Sequence, residues 1–412
     1  MPKIRKIKHC RICKSRELAT FLKFRSMPKP NGFLKKPIRE EKYPLEVSRC
    51  QNCGLVQLNH IIDAEEMFGH YLYMSAMSKT MDVHFKDTAD ALVQRFSLKP
   101  RSLVIDIGGN DGTFLKHLRG TTRILNIDPA KNLRAIAAKK GVENYVAYFG
   151  ENTAKKVLKK YGSADIITGT NVFAHIDNLD SAFKGVDILL KPGGALVMEF
   201  PYLVDLIEKN EFDTIYHEHL SYFLAKPLEH VLARHGLEIF DLEKFPTHGG
   251  SIRLYVQRIY DKCYPVSPKV EKLYQQEKDL GMYRQATYEK FAQNIKAIPN
   301  GLNAIIRKLK AKKKRIIGYG ASAKGNVLLN MCGLGPKDLD YIVDSTPYKQ
   351  GLYTPGTHIP IKSEEYLEKD NPDYAILFIW NFKDEVIKKQ KDKFLKRGGR
   401  FIIPVPRVEI IS

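Results

Sequence analysis

Between residues 75 and 262, short apolar runs that close on glycine or an acid alternate with stretches of helical spacing. Residues 103–107, 124–127, 165–169 and 195–200 read as strands, and the alternation predicts a parallel sheet covered by helices on both faces. Residues 270–309 keep a helical period, with Pro299-Asn300-Gly301 as its one interruption. Residues 315–320 then restart a strand–turn–helix, which 341–344, 374–379 and 401–404 extend into a second α/β domain. The first 60 or so residues differ, being rich in Cys, Pro and basic side chains with short strand-like pieces. The pattern divides the chain into 1–70, 71–265, a helical connection at 266–310, and 311–412.

Composition narrows this picture. No apolar run approaches the roughly 20 residues that cross a bilayer. At the N-terminus, Cys10 to Lys14 stand where a secretion signal carries its apolar core. A cytoplasmic protein without membrane association is expected, and a monomer is favoured. The net charge is +21, from 67 Lys and Arg against 46 Asp and Glu. The lysines are scattered over helices, as at Lys155-Lys156 and Lys388-Lys389, and only 310–315 forms a dense run. Such spacing describes solvated helix faces, so a nucleic acid is not the expected partner.

Four of the six cysteines form two pairs, Cys10-Arg-Ile-Cys13 and Cys50-Gln-Asn-Cys53. Each pair puts two thiolates on one tight turn, and two such turns make a closed tetrahedral shell for structural zinc. Cys263 and Cys332 stand alone and read as small core residues.

The run Val104-Ile105-Asp106-Ile107-Gly108-Gly109-Asn110-Asp111-Gly112 ends a strand in an acid and a glycine-rich turn, with a helix expected from Thr113. Glycines there let the backbone turn sharply and approach a ligand. The D-x-G-x-N-x-G form lacks the three-glycine dinucleotide fingerprint. Asp106 precedes the first glycine, where it can meet an ammonium, and Asp128 closes the next strand, where it can hold ribose hydroxyls. S-adenosylmethionine is the expected cofactor, with Asn171, Tyr71 and Tyr73 as further candidate contacts.

Catalytic candidates crowd Ile215-Tyr216-His217-Glu218-His219-Leu220-Ser221-Tyr222. Carbon methylation beside a carbonyl needs a base for the C–H proton and a donor for the enolate oxygen. Tyr216, Glu218, His219 and Tyr222 offer these groups, His175 is a further candidate, and His217 faces substrate recognition. Metal binding by H-x-H lacks a third-ligand pattern. His248 and Arg253, on His248-Gly249-Gly250-Ser251-Ile252-Arg253, are candidate substrate contacts. A second glycine turn, Gly318-Tyr319-Gly320-Ala321-Ser322-Ala323-Lys324-Gly325-Asn326, followed by Tyr348-Lys349, makes Lys324, Asn326, Tyr348 and Lys349 candidates for a diphosphate.

The paired C-x-x-C, Gly-Gly-Asn-Asp-Gly, Tyr-His-Glu-His, His-Gly-Gly-Ser and Gly-Tyr-Gly-Ala-x-Ala-Lys-Gly-Asn, in this order, resemble the three-domain sugar C-methyltransferases that use S-adenosylmethionine on nucleotide-linked 4-keto deoxysugars. The resemblance spans nearly the whole chain. It implies a small zinc-binding N-terminal domain, a class I methyltransferase core and a C-terminal Rossmann-like α/β domain. It further implies that His219 is the base for the C3 proton, with Tyr216, Glu218 and His175 orienting substrate or steadying the enolate. Ser322, Ser345-Thr346 and Phe378-Ile379 depart from the family pattern, all in the C-terminal domain. An O- or N-methyltransferase on the same scaffold is the alternative.

Overall fold

The computed structural model describes residues 4–69, 71, 74, 75 and 78–411. The chain forms two units. The first holds 1–19, 48–204 and 220–284, and the second 20–47, 205–219 and 285–412.

In the first unit, β1 (Ile4–Lys6) pairs antiparallel with β5 (His60–Ile62). Strands β2 (Leu18–Met27) and β3 (Tyr43–Cys50) carry the chain from one unit to the other, and β4 (Val56–Leu58) follows. Next come β6 (Leu103–Ile107), β7 (Arg123–Ile127), β8 (Asn144–Tyr145), β9 (Ala164–Thr170) and β10 (Leu190–Pro201). Beyond them lie β11 (Ser221–Tyr222), β12 (Leu237–Phe245) and β13 (Ser251–Arg258). β11 pairs antiparallel with β4.

Seven of these strands make one sheet in the order β12-β13-β10-β9-β6-β7-β8. Strands β8, β7, β6, β9 and β10 run parallel, and β13 enters antiparallel between β10 and β12. This is the class I methyltransferase order. Every residue of β6 and β13 is buried, as expected of strands covered on both faces. Chain order reverses between β6 and β9, so their carboxyl ends open a crevice where ligands bind in such sheets.

The second unit carries β14 (Ile316–Tyr319), β15 (Ile342–Asp344), β16 (Ile361–Ser363), β17 (Tyr374–Leu377), β18 (Arg400–Ile403) and β19 (Glu409–Ile411). Their order is β16-β15-β14-β17-β18-β19, parallel except for β19, which is a Rossmann-like sheet with its own reversal between β14 and β17.

Three expectations are corrected. After Gly112 there is no α-helix, only a 3-10 turn at Leu115–Leu118. Gly120 at φ 83° and the short run to β7 leave no length for more. The helical connection breaks at 280–284, not at Pro299: one helix spans Pro268–Asp279, and Gln285–Ala311 continues straight through the proline. Burial of Tyr288, Phe291, Ile295, Ile298, Leu302 and Ile306 along one face of that helix outweighs the lost backbone bond. Cys263 is exposed rather than in the core.

Residues 266–284 belong with the first unit, and Glu277 gives the reason. Its carboxylate is fully buried, accepts the Tyr202 hydroxyl at 2.8 Å and the Ala225 N–H at 2.6 Å, and takes the Tyr283 hydroxyl. It thereby caps the Ala225–Arg234 helix, whose own N-cap, Leu224, offers no side-chain acceptor. Glu277→Ala strips several buried donors of one acceptor and is expected to cost about 2–4 kcal/mol in urea unfolding.

Candidate active site

The cysteines come together as the sequence spacing implies. All four sulfurs lie within 4.8 Å of one another, with Cys10–Cys53 and Cys13–Cys50 at 3.5 Å. A tetrahedral zinc with Zn–S bonds of roughly 2.3 Å has sulfur–sulfur edges of about 3.8 Å, so the cluster fits the ion. The Cys10 thiol is pulled down to about 5 by the Cys53 thiol that donates to it, aided by backbone N–H groups of Cys13 and Ile12. Among the described residues this is the one group placed for a metal; His217 and His219 are not part of such a cluster.

The glycines of the turn after β6 are required by the side chains packed against them. Gly108 has φ 64°, and a Cβ there would meet Val172 Cγ2 at 2.4 Å. A Cβ on Gly109 would strike Asp106 Oδ2 at 2.4 Å and Asn126 Oδ1 at 2.5 Å. Gly112 also lies at positive φ, against Val142. Asn126 clamps the turn from β7: its Oδ1 accepts the Gly109 N–H at 3.0 Å and its Nδ2 donates to the Asn110 carbonyl at 3.1 Å. Asn110 itself sits at φ 54°, and its Oδ1 accepts the Ser75 N–H.

Two acids flank this turn. Asp106 is buried, accepts the Thr168 hydroxyl at 2.7 Å, and is pushed up to about 7 by desolvation. Asp128 is raised to about 6, again by burial, against the opposing pull of N–H donors from Ala130 and Asn110. At the end of β9, Asn171 adopts φ 57° and donates its N–H to the Glu199 carbonyl at 2.7 Å. Its Oδ1 is buried without a hydrogen-bond partner among the described residues. Tyr71 exchanges backbone bonds with the Asn132 amide, and Tyr73 lies outside the described residues. His175 stacks on Phe68 at 5.5 Å, and burial pushes its imidazole down to about 4, so the ring is neutral at pH 7. Two acids and a buried amide oxygen without a hydrogen bond, set around a tightly packed glycine turn, suit the ammonium and hydroxyls of S-adenosylmethionine.

The segment Tyr216–His219 belongs to the second unit. His219 Nδ1 lies 2.7 Å from the Thr214 carbonyl, which can only accept, so Nδ1 carries the proton. The Tyr216 ring packs on this imidazole at 4.0 Å between centroids. Glu218 Oε1 accepts the Asn31 amide at 2.7 Å, and His217 Nε2 lies 3.3 Å from the Tyr43 carbonyl. The chain leaves this unit after His219. In the first unit, Leu220 donates its N–H to Ala174 at 2.8 Å, and its carbonyl accepts from Leu58 and the buried Arg11 guanidinium. Tyr222, in β11, is buried.

The substrate candidates divide. Arg253 is only 2% exposed, bound to Glu199 at 2.7 Å and to Thr88 at 2.6 Å, so its donors face inward. His248 occupies a 3-10 turn at φ 56°. In the second unit, Lys349 is half-buried and donates to the Ala321 carbonyl at 2.8 Å, while Asn326 donates to the Pro30 carbonyl at 2.6 Å. Tyr348 lies on the adjoining 3-10 turn. Lys324 projects from the first turn of the Ala323–Cys332 helix, 4.7 Å from the centre of the Trp380 ring.

Three domain families match in succession: a zinc binding domain over residues 10–68, a methyltransferase domain over 81–242 and a C-methyltransferase C-terminal domain over 246–406. The C-methyltransferase NovU of Streptomyces niveus is 35% identical over 99% of this chain and 98% of its own length. The chain belongs to this family of S-adenosylmethionine-dependent C-methyltransferases. Among solved structures, a SAM-dependent methyltransferase from Anabaena variabilis is 19% identical, covering 43% of this chain and 85% of that one, with a TM-score of 0.36. The PH0226 protein of Pyrococcus horikoshii is 16% identical, covering 45% and 94%, with a TM-score of 0.37.

The C-methyltransferase thus uses S-adenosylmethionine as methyl donor and carries a zinc-binding domain. Several supporting groups escape a reading of the sequence. Asp111 is fully buried and paired with Lys140 at 2.9 Å, and Glu199 joins His84 and Arg253 in one buried network. Their partners lie 29 to 115 residues away or sit on strands that look merely apolar, so only a charge inside an apolar run, as at Glu199, hints at them.

Cys13→Ser is expected to release the metal, read as zinc per chain by elemental analysis. Asp106 binds its proton more tightly folded than unfolded, so the folded chain holds more protons between about pH 4 and 7. Stability therefore declines as pH rises through that window, by about 4 kcal/mol from Asp106 alone. Asp106→Asn should remove most of this slope in urea titrations run across the window.

Proposed function

We propose that this C-methyltransferase acts on a nucleoside-diphosphate-linked keto-deoxysugar and that His219 removes the proton from the carbon beside the ketone. The observation that carries the reading is the hydrogen bond from His219 Nδ1 to the Thr214 carbonyl. It commits the ring proton to Nδ1 and makes Nε2 the basic nitrogen, as a general base working near pH 7 requires. Tyr216, packed on the same ring, offers a hydroxyl donor for the enolate oxygen, and Glu218, steadied by Asn31, orients the sugar. Tyr222 shares the segment, and His175, neutral at pH 7, is suited to polarise the ketone without adding charge. S-adenosylmethionine, when bound, supplies an electrophilic methyl group.

Asp106 is assigned to the methionine ammonium and Asp128 to the ribose, with Gly108, Gly109, Asn110, Gly112, Asn171, Tyr71 and Tyr73 around them. Lys324 is assigned to the diphosphate in preference to Arg253, whose guanidinium is engaged by Glu199 and Thr88. His217, His248, Asn326, Tyr348 and Lys349 complete the proposed sugar-nucleotide contacts.

In D2O, without methyl donor, the enzyme should exchange one hydrogen beside the ketone of a nucleoside-diphosphate-4-keto-6-deoxyhexose. His219→Asn should slow that exchange by roughly 10²–10⁴-fold, the usual contribution of a positioned base. Wild-type exchange in the variant would place the base elsewhere, and absence of exchange with every keto-sugar nucleotide would remove the substrate class. Affinity for S-adenosylmethionine should tighten as pH rises from about 5.5 to 7.5, because ionised Asp106 and Asp128 are the forms that meet a cation and hydroxyls. Calorimetry on Asp106→Asn should show that rise flattened.

A further inference from the structure

Trp380 is the only tryptophan in the chain, and it stands in the loop after β17, at the point where strand order reverses in the C-terminal sheet. In Rossmann-like sheets that crevice receives a ligand. Here the indole turns to the protein instead. Its Nε1–H donates to Asp213 Oδ2 at 2.6 Å, with Trp380 7% and Asp213 1% exposed. Asp213 lies inside the short 3-10 turn Phe212–Thr214, which packs against the Ala323–Cys332 helix. The last residue of that turn, Thr214, supplies the carbonyl that takes the His219 Nδ1–H at 2.7 Å.

We infer that Trp380 and Asp213 are positioning residues for His219: the indole pins the Asp213 turn, and the turn fixes the tautomer and direction of the imidazole. This rests on the proposal that His219 is the base. Three further observations support it. Among the described residues the Trp380 N–H is the one side-chain donor to the Asp213 carboxyl, which otherwise meets only the backbone N–H groups of its own residue and of Thr214. The Thr214 hydroxyl is buried without a hydrogen bond, so among the described residues the turn's side-chain polar link runs through Asp213, beside the apolar packing of Phe212. Finally, the cationic Lys324 packs on the indole face at 4.7 Å and acts electrostatically on both Asp213 and Glu211. The charged groups facing Asp213 are therefore Lys324 from the helix and Glu211 from its own turn.

Burial pushes the Asp213 carboxyl up, so what the turn receives from this group is its hydrogen bond with Trp380.

The test uses the full-length enzyme with 13C- and 15N-labelled histidine, and His219→Asn identifies the resonances of His219. Wild type should show the Nδ1–H tautomer. Trp380→Phe removes the indole donor while keeping an aromatic ring, and should mix the two tautomers and lower the exchange kcat about ten-fold at unchanged KM. Asp213→Asn keeps an acceptor for Trp380 and should retain the wild-type tautomer and exchange rate, whereas Asp213→Ala removes that acceptor and should mix the tautomers as Trp380→Phe does. Should Trp380→Phe fail to fold, the Asp213→Asn and Asp213→Ala pair decides. The wild-type tautomer in folded Trp380→Phe or Asp213→Ala would overturn the relay while leaving His219 as base. Undiminished exchange in His219→Asn would instead overturn the base assignment, and the NMR result would still decide whether Trp380 orients that ring.

Discussion

The cofactor side of the molecule depends on a single side-chain amide. In many glycine-rich turns the helix that follows supplies N–H groups and rigidity, but here the chain has only a 3-10 turn after Gly112. Asn126 replaces that support by gripping the turn from the neighbouring strand, with one bond to each side of the Gly109–Asn110 peptide. The grip explains why Gly109 has no room for a Cβ and why Asn110 holds a left-handed conformation. Asp128, one strand-end further on, then takes the Asn110 N–H. Burying two acids beside a turn so constrained raises both their pKa values, which is costly for an apoprotein and useful once a cation arrives.

The second unit solves a different problem, that of holding one imidazole in one tautomer. It does so with a carbonyl from five residues upstream, on a turn too short to be rigid alone. The C-terminal sheet contributes Trp380 and Lys324 to that turn, and its own glycines have another explanation than a ligand. A Cβ on Gly318 would meet the Phe378 ring at 2.6 Å, one on Gly325 would meet Phe378 Cβ at 2.6 Å, and Gly320 lies against Ile379. Asp344, placed at the strand end like a ribose-binding acid, accepts the Ala321 and Thr346 N–H groups instead. The departures from the family pattern at Ser322 and Phe378-Ile379 fall on these packing positions: Ser322 caps its helix through the Gly325 N–H.

What could be read from the chain was what depends on neighbours in sequence. The strands appeared because their apolar runs are local, the cysteines because each C-x-x-C is a single turn, and Asp106 and Asp128 because they end strands. What could not be read depends on distant partners. A helix after Gly112 follows from propensity, whereas its absence follows from the short return to β7 and the grip of Asn126. Pro299 looked like a break because the buried face that overrides it is visible only in the fold. Arg253 reads as a candidate substrate contact because its counter-charge, Glu199, lies on β10, 54 residues back.

The division of the chain has a consequence for how such enzymes diversify. The second unit is discontinuous, and its three segments are joined by specific polar bonds: Trp380 to Asp213, Asn326 to Pro30, and His358 to Glu40. A recombination that exchanged only residues 285–412 would import half of each pair and strand the other. Two buried acceptors, the Asp213 carboxylate and the Pro30 carbonyl, would then face a foreign surface. Chimeras between relatives should therefore tolerate a crossover only when residues 20–47 and 205–219 travel with the C-terminal segment. Along a lineage, these three stretches are bound to change as one linked character rather than as independent parts.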